Sequence, residues 1–246
     1  MEWAGLLYGT IGLALGGILK GATGAGAPII AIPVLAMLYD VPLAIAIFSI
    51  PNLLANLWQG WRYRSEQLPR KFMVAFAGAG MAGAVVGSVL LVSLPPDFLL
   101  IAIAGLVLIY IAFRIMRPTW KLAITAAQRL AAPLGFVAGV LQTAVGLSAP
   151  VSITLLNAMQ LPRMTFMATI SVFFAAVGVV QIPMLVGFGI LTIERAALSF
   201  LALMPVVALM PVGAFLAKHI SKQSFDRIIL SLLFVIACRL LWRALG

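Results

Sequence analysis

The sequence holds very little with which to do covalent or metal chemistry. Its 246 residues include one cysteine, one histidine and six acidic residues. Cys238 alone permits neither an intrachain disulfide nor a cysteine-only metal site, and it is expected to pack within the last apolar segment. A single histidine leaves too few ligands for a metal cluster, so no metal and no cofactor is expected. No G-x-x-x-x-G-K-[ST] run is present to cradle nucleotide phosphates, which excludes a self-contained ATP-driven pump and makes an enzyme the weakest reading. Charge is scarce too. Only 9% of residues are charged, against ~25% in soluble domains. The first apolar block runs past Pro28 without the polar region and small-residue site that end a signal peptide, so the N-terminus is expected to stay in the mature protein.

What is present in abundance is apolar length: 64% of residues are hydrophobic and the mean hydropathy is +1.18. Apolar runs near 42–60, 72–92, 98–113, 164–187, 196–217 and 228–242, with longer blocks at 4–38 and 131–158, leave no room for a soluble domain. A crossing needs ~20 residues. The chain therefore reads as an all-α polytopic membrane protein whose function lies in or at the bilayer. Its net charge of +10 comes from Lys and Arg in the connections between runs, where orientation signals belong, so the lipid bilayer and not nucleic acid is the partner implied.

A repeat is visible once two segments are set side by side. GGILKGATGAGAPIIAIPVL and AGVLQTAVGLSAPVSITLLN align without a gap, matching Gly17 with Gly139, Gly24 with Gly146, Ala27 with Ala149 and Pro28 with Pro150. Lys20 falls opposite Gln142. Further on, Val41-Pro42 resembles Leu161-Pro162, Gly87 resembles Gly213 and Phe98 resembles Phe225. The expected organisation is a first membrane repeat at 1–118, a cytoplasmic basic linker at 119–129 and a second repeat at 130–246.

Charge decides how the halves are oriented. If blocks 4–38 and 131–158 each dip in and return, twelve Lys and Arg other than Lys20 lie inside and three outside; if each crosses once, the split is eleven and four. The re-entrant form places Asp40, Asp97 and Glu194 at outer span ends, where they are expected to be hydrated. Length points the same way, since 4–38 as one straight helix would be ~50 Å long against a hydrocarbon core of ~30 Å. GATGAGAP supplies the break, because glycine tolerates tight-turn backbone angles and proline suits the first turn of a new helix. Half-helices are predicted to meet at Gly21–Pro28 and Thr143–Pro150. The fold expected is two inverted repeats, each a broken or re-entrant helical hairpin followed by three transmembrane helices.

Irregular backbone at membrane depth is tolerated where it is packed in protein or lines a cavity, and in transporters such breaks form the substrate site. Each half-helix N-terminus carries roughly +0.5 charge. Two of them with a protonated Lys20 suit a small singly or doubly charged oxyanion. Lys20 is read as attracting that anion, against the blander reading that it snorkels to an interface; Gln142 cannot supply the same charge. Along the next run Ser49, Asn52, Asn56 and Gln59 form one helical stripe, with Asn52 and Asn56 facing a polar cavity and Gln59 holding helices together. Thr165, Thr169 and Gln181 are weaker candidates, and His219 reads as a solvated surface residue. Gly78, Gly83, Gly87 and Gly105 read as packing glycines. No intramembrane carboxylate is apparent for proton or sodium coupling.

The paired glycine-rich patterns, each opening a half of about 115 residues, resemble the TauE/SafE sulfite exporter family, also called the toluene sulfonate uptake permeases. In place of the family's usual run of consecutive glycines this sequence has Gly24-Ala25-Gly26-Ala27 and Gly146-Leu147-Ser148-Ala149. The resemblance implies a multi-pass carrier in the bacterial plasma (inner) membrane that takes sulfite, sulfonates or related anions, most often outward. The positions it carries over are Gly21, Gly24, Gly26, Pro28, Gly139, Gly146, Ser148 and Pro150. Lys20, Thr23, Asn52, Asn56, Gln142 and Thr143 join the expected substrate site from the residues themselves. A homodimer is an expected arrangement. The competing reading is a non-transporting membrane partner that assembles an enzyme complex.

Overall fold

A computed structural model describes residues 3–116, 120–219 and 222–245; Arg117 of the joining segment and the side chains of Lys222 and Phe225 lie outside the described residues. Ten α-helices follow one another: α1 (Trp3–Thr23), α2 (Ala27–Leu38), α3 (Val41–Arg62), α4 (Arg70–Ser93), α5 (Pro96–Met116), α6 (Ile124–Val145), α7 (Ser152–Ala158), α8 (Arg163–Gly187), α9 (Ile193–His219) and α10 (Lys222–Leu245). Among the described residues eight of them, all but α2 and α7, are long and apolar enough to cross a membrane. The protein is an all-helical, multi-pass membrane protein.

Block 4–38 is a helical hairpin. Gly16 of α1 faces Ala27 and Ala31 of α2, Gly12 faces Val34, and Gly9 faces Leu35 and Leu38, so α2 returns antiparallel along α1. The missing side chains let the two helices pack close together. The hairpin is unequal. At 21 residues α1 measures ~31 Å, enough to cross the hydrocarbon core, whereas α2, at 12 residues, measures ~18 Å. The expectation of two half-helices is corrected in one respect, since one arm is full length; the break itself, at residues 24–26, falls within the expected Gly21–Pro28. Block 131–158 behaves likewise, with a 22-residue α6 and a 7-residue α7.

Packing crosses between the two halves. Gly17 and Gly21 of α1 lie against Val206 and Met210 of α9, running parallel, and Gly213 of α9 lies against the Ile18 carbonyl. In the same way Gly135 and Gly139 of α6 lie against Phe76 and Gly80 of α4, and Gly87 of α4 against the Val140 carbonyl. At all of these positions a Cβ would run into neighbouring backbone, so only glycine permits the approach. Gly83 packs the same way on Phe136. Gly78 and Gly105, also expected to pack, instead face open space.

Between these pairs α3 and α8 cross antiparallel: Leu53 meets Gly178, and Gly60 meets Val172. Gln59 accepts a 2.8 Å hydrogen bond from Ser171 Oγ there, the helix-joining role expected of it. Phe76 stacks on Phe173 at 4.4 Å between ring centroids, tying α4 to α8. On α3, Pro51 has no N–H to give the Ile47 carbonyl one turn back. Ser199 of α9 repairs the gap by donating to Ile47 O at 2.9 Å and accepting from Ile50 N–H at 3.2 Å. Cys238, expected in the packing, lies exposed on α10. Asp40 caps α3 by accepting from Leu43 N–H at 2.7 Å while remaining exposed.

Candidate anion site at the helix breaks

The first break is built by Thr23 and Gly24. Gly24 takes φ +86°, a left-handed conformation that ends α1 and that L side chains rarely adopt. Thr23 Oγ1 donates to Leu19 O at 2.8 Å and accepts from the N–H groups of Ala25 at 3.3 Å and Gly26 at 3.1 Å. Pro28 then opens α2 as the sequence predicts. One turn before the break, Lys20 is 2% exposed. Its ammonium donates to Asn56 Oδ1 at 2.7 Å and to Gly24 O at 3.4 Å. Asn56 Nδ2 in turn donates to Asn52 O at 2.7 Å and Asn52 Oδ1 at 2.9 Å. A cation in the last turn of a helix is favoured by the helix dipole, and the asparagines replace the water that burial removes.

The second break repeats the plan without the charge. Gly146 takes φ +76°, and Gln142 Nε2 donates to Gly146 O at 3.4 Å, in the same register and at the same distance as Lys20 to Gly24 O. Ser148 Oγ donates to Gln142 Oε1 at 2.8 Å and lies 3.0 Å from Ser152 Oγ. Thr143 Oγ1 is turned to the carbonyls of Ala84 at 3.0 Å and Gly139 at 3.1 Å. The first amides of α7 are already engaged: Val151 and Ser152 donate to Ser148 O, and Thr154 to Ala149 O. The first amides of α2 are engaged as well, Ile29 N–H donating to Gly26 O at 3.1 Å, and the two half-helices differ in length, 12 residues for α2 and 7 for α7.

Beside the first break lies a cavity of about 460 Å³. Ala22, Thr23, Ala25, Gly26 and Ile29 form its buried or half-buried inner wall, while Asn157, Gln160 and Arg163 stand exposed at its mouth. Tyr110 and Arg114 of α5 complete the polar lining, and no Asp or Glu is among the described lining residues. Arg163 donates to the Ala22 carbonyl at 2.9 Å across 141 residues of sequence. Two arginines lining a cavity beside the N-terminal end of α2 make an environment suited to an oxyanion.

Of the residues expected at the site, Thr23 and Gly26 line this cavity. Lys20, Asn52 and Asn56 do not: they form a closed network behind the break and are 2%, 4% and 0% exposed. Gly21 is spent on contact with α9, and Gln142, Thr143, Gly146 and Ser148 form the second buried knot. Pro150 faces Ile29 and Tyr110 across a narrow gap, and Ile32 of α2 lies directly over Gly146, which brings the two breaks together. Sequence reasoning missed Arg163, Tyr110, Asn157 and Gln160, and weighed Arg114 only as an orientation charge. A signal for Arg163 was available: it follows Leu161-Pro162, whose counterpart Val41-Pro42 is followed by Leu43.

No curated protein and no solved structure matches the chain. A family model described as "Sulfite exporter TauE/SafE" matches residues 8–240. With eight helices fit to span a bilayer and that match over nearly its whole length, the chain is a multi-pass membrane transporter rather than an enzyme, and it belongs to the TauE/SafE sulfite exporter family.

Proposed function

We propose that the protein is a secondary carrier that exports small sulfur-containing anions, sulfite or organosulfonates, across the bacterial inner membrane. The observation that carries this reading is the cavity at the first break, lined by Arg114 and Arg163 beside the start of α2. Its mouth lies at the helix ends that hold most of the basic residues, which the positive-inside rule assigns to the cytoplasm. Substrate therefore enters from inside. The anion binds between Arg163, Arg114 and the N-terminal end of α2, with Thr23 and Gly26 against it. Lys20 stands behind the break, where Asn56, itself bonded to Asn52, holds its Nζ in place.

Alternating access would follow from two inverted halves. Antiparallel crossing of α3 and α8, the corresponding helices of the two halves, and the matched pairings of α1 with α9 and α6 with α4 support that relation. Direction needs no coupling ion, because an inside-negative potential favours anion exit by ~2.3 kcal/mol per charge per 100 mV. Radiolabelled sulfite flux in proteoliposomes under an imposed potential tests the proposal, with sulfonates, sulfate and carboxylates as competitors. Potential-driven flux that sulfonates inhibit is expected. Absence of flux for every anion, from folded protein, would refute transport and leave the assembly-partner reading.

A further inference from the structure

Arg163 occupies a position that neither a purely structural nor a purely ligand-binding residue needs. At the C-terminal end of α1 the Ala22 carbonyl has lost its usual donor, because the Gly26 N–H four residues on is turned to Thr23 Oγ1. Arg163 from α8 supplies the replacement at 2.9 Å. The same side chain lines the cavity, together with Ala22, Thr23, Ala25 and Gly26. A guanidinium offers five N–H donors in a fixed fork, and among the described residues Arg163 makes this one hydrogen bond. An oxyanion in the cavity offers that fork a bidentate, negatively charged partner, which outcompetes a neutral carbonyl.

Resting on the carrier reading above, we propose that Arg163 is a substrate-operated latch. In the empty protein it pins the end of α1 at Ala22. An oxyanion entering the cavity takes the guanidinium, leaves the Ala22 carbonyl without a partner and frees the Gly24–Gly26 break to change its angle. Binding and movement of the first hairpin are thereby linked through one side chain. The second hairpin has no equivalent, since Leu43 stands at the corresponding place in the first half. Arg163 is a positioning residue in this scheme as well as a contact for the anion.

Hydrogen exchange of the segment 19–26, read by mass spectrometry on the full-length protein with and without sulfite or methanesulfonate, tests the latch. In the parent protein either anion should speed exchange of this segment about tenfold, the factor that 1.4 kcal/mol gives. In Arg163→Gln exchange should be equally fast without anion and no longer respond to it. Arg163→Lys, which keeps the charge but not the fork, should restore slow exchange with a weakened response, and it serves alone if the glutamine variant does not insert. Anion-insensitive exchange in the parent, or a full parental response in Arg163→Gln or in Arg163→Lys, overturns the proposal. Sulfite flux measured on the same preparations separates the two ideas. Flux with an unchanged Arg163→Gln response sinks only the latch, whereas a latch response without flux sinks only transport.

Discussion

Replacing Asn56 by leucine removes the oxygen that holds the Lys20 ammonium at 2.7 Å and leaves the lysine with the Gly24 carbonyl at 3.4 Å. A hydrogen bond to a charged group contributes about 1.5–3 kcal/mol, and stranding a buried charge costs about 3–5 kcal/mol. Lys20 keeps one longer contact, so about 3 kcal/mol is expected for Asn56→Leu. For a chain of this size that corresponds to roughly 6–12 °C in apparent melting temperature. Lys20→Met alone should be milder, because it strands a neutral amide oxygen, which costs about 1–3 kcal/mol. The informative variant is the double substitution. With both polar partners gone nothing charged is left buried, and the midpoint should recover most of the way to the parent. Thermal unfolding in detergent, followed by loss of monodisperse protein, gives the three shifts and hence a double-mutant cycle. A coupling below about 0.5 kcal/mol would show that the two residues are energetically independent and refute the account of how Lys20 is tolerated. The stable double variant should still lose most anion flux, since the lysine behind the break is gone.

Gly139→Ala and Gly17→Ala put a Cβ into the Gly80 and Val206 backbones, so each should cost about 1–3 kcal/mol in detergent stability, while Gly78→Ala, facing open space, should gain up to about 1 kcal/mol. Gly24→Ala and Gly146→Ala force alanine to φ +86° and +76° and should lose about 1–2 kcal/mol each, with a drop in sulfite flux larger than the stability loss alone explains. Ser199→Ala leaves the Ile47 carbonyl beside Pro51 without its donor and should cost about 1–3 kcal/mol, measured as a lower melting midpoint with flux per folded molecule unchanged. Arg114→Gln should raise the half-saturating sulfite concentration about tenfold in proteoliposome flux, since loss of one charged contact to the anion is worth about 1.4 kcal/mol.

Sequence alone determined which stretches are long and apolar enough to span a bilayer and where the helices break. Apolar length and the placement of glycine and proline are properties of neighbouring residues, so the eight spans and the interruptions after Thr23 and Val145 follow from local chemistry. The matched register of Lys20 and Gln142 was legible for the same reason, and each reaches the carbonyl four residues on. Tertiary structure decided what those residues touch. Asn56 rather than an open cavity receives Lys20, because α3 folds back and brings Asn56, 36 residues on, within reach of the Lys20 side chain. The cavity and its arginines arise only when α5, α8 and α9 of distant sequence close around the first break, with Arg163 reaching Ala22 across 141 residues. No local pattern encodes such meetings; they are set by which glycine faces let helices approach, and so by the pairing of α1 with α9 and α4 with α6.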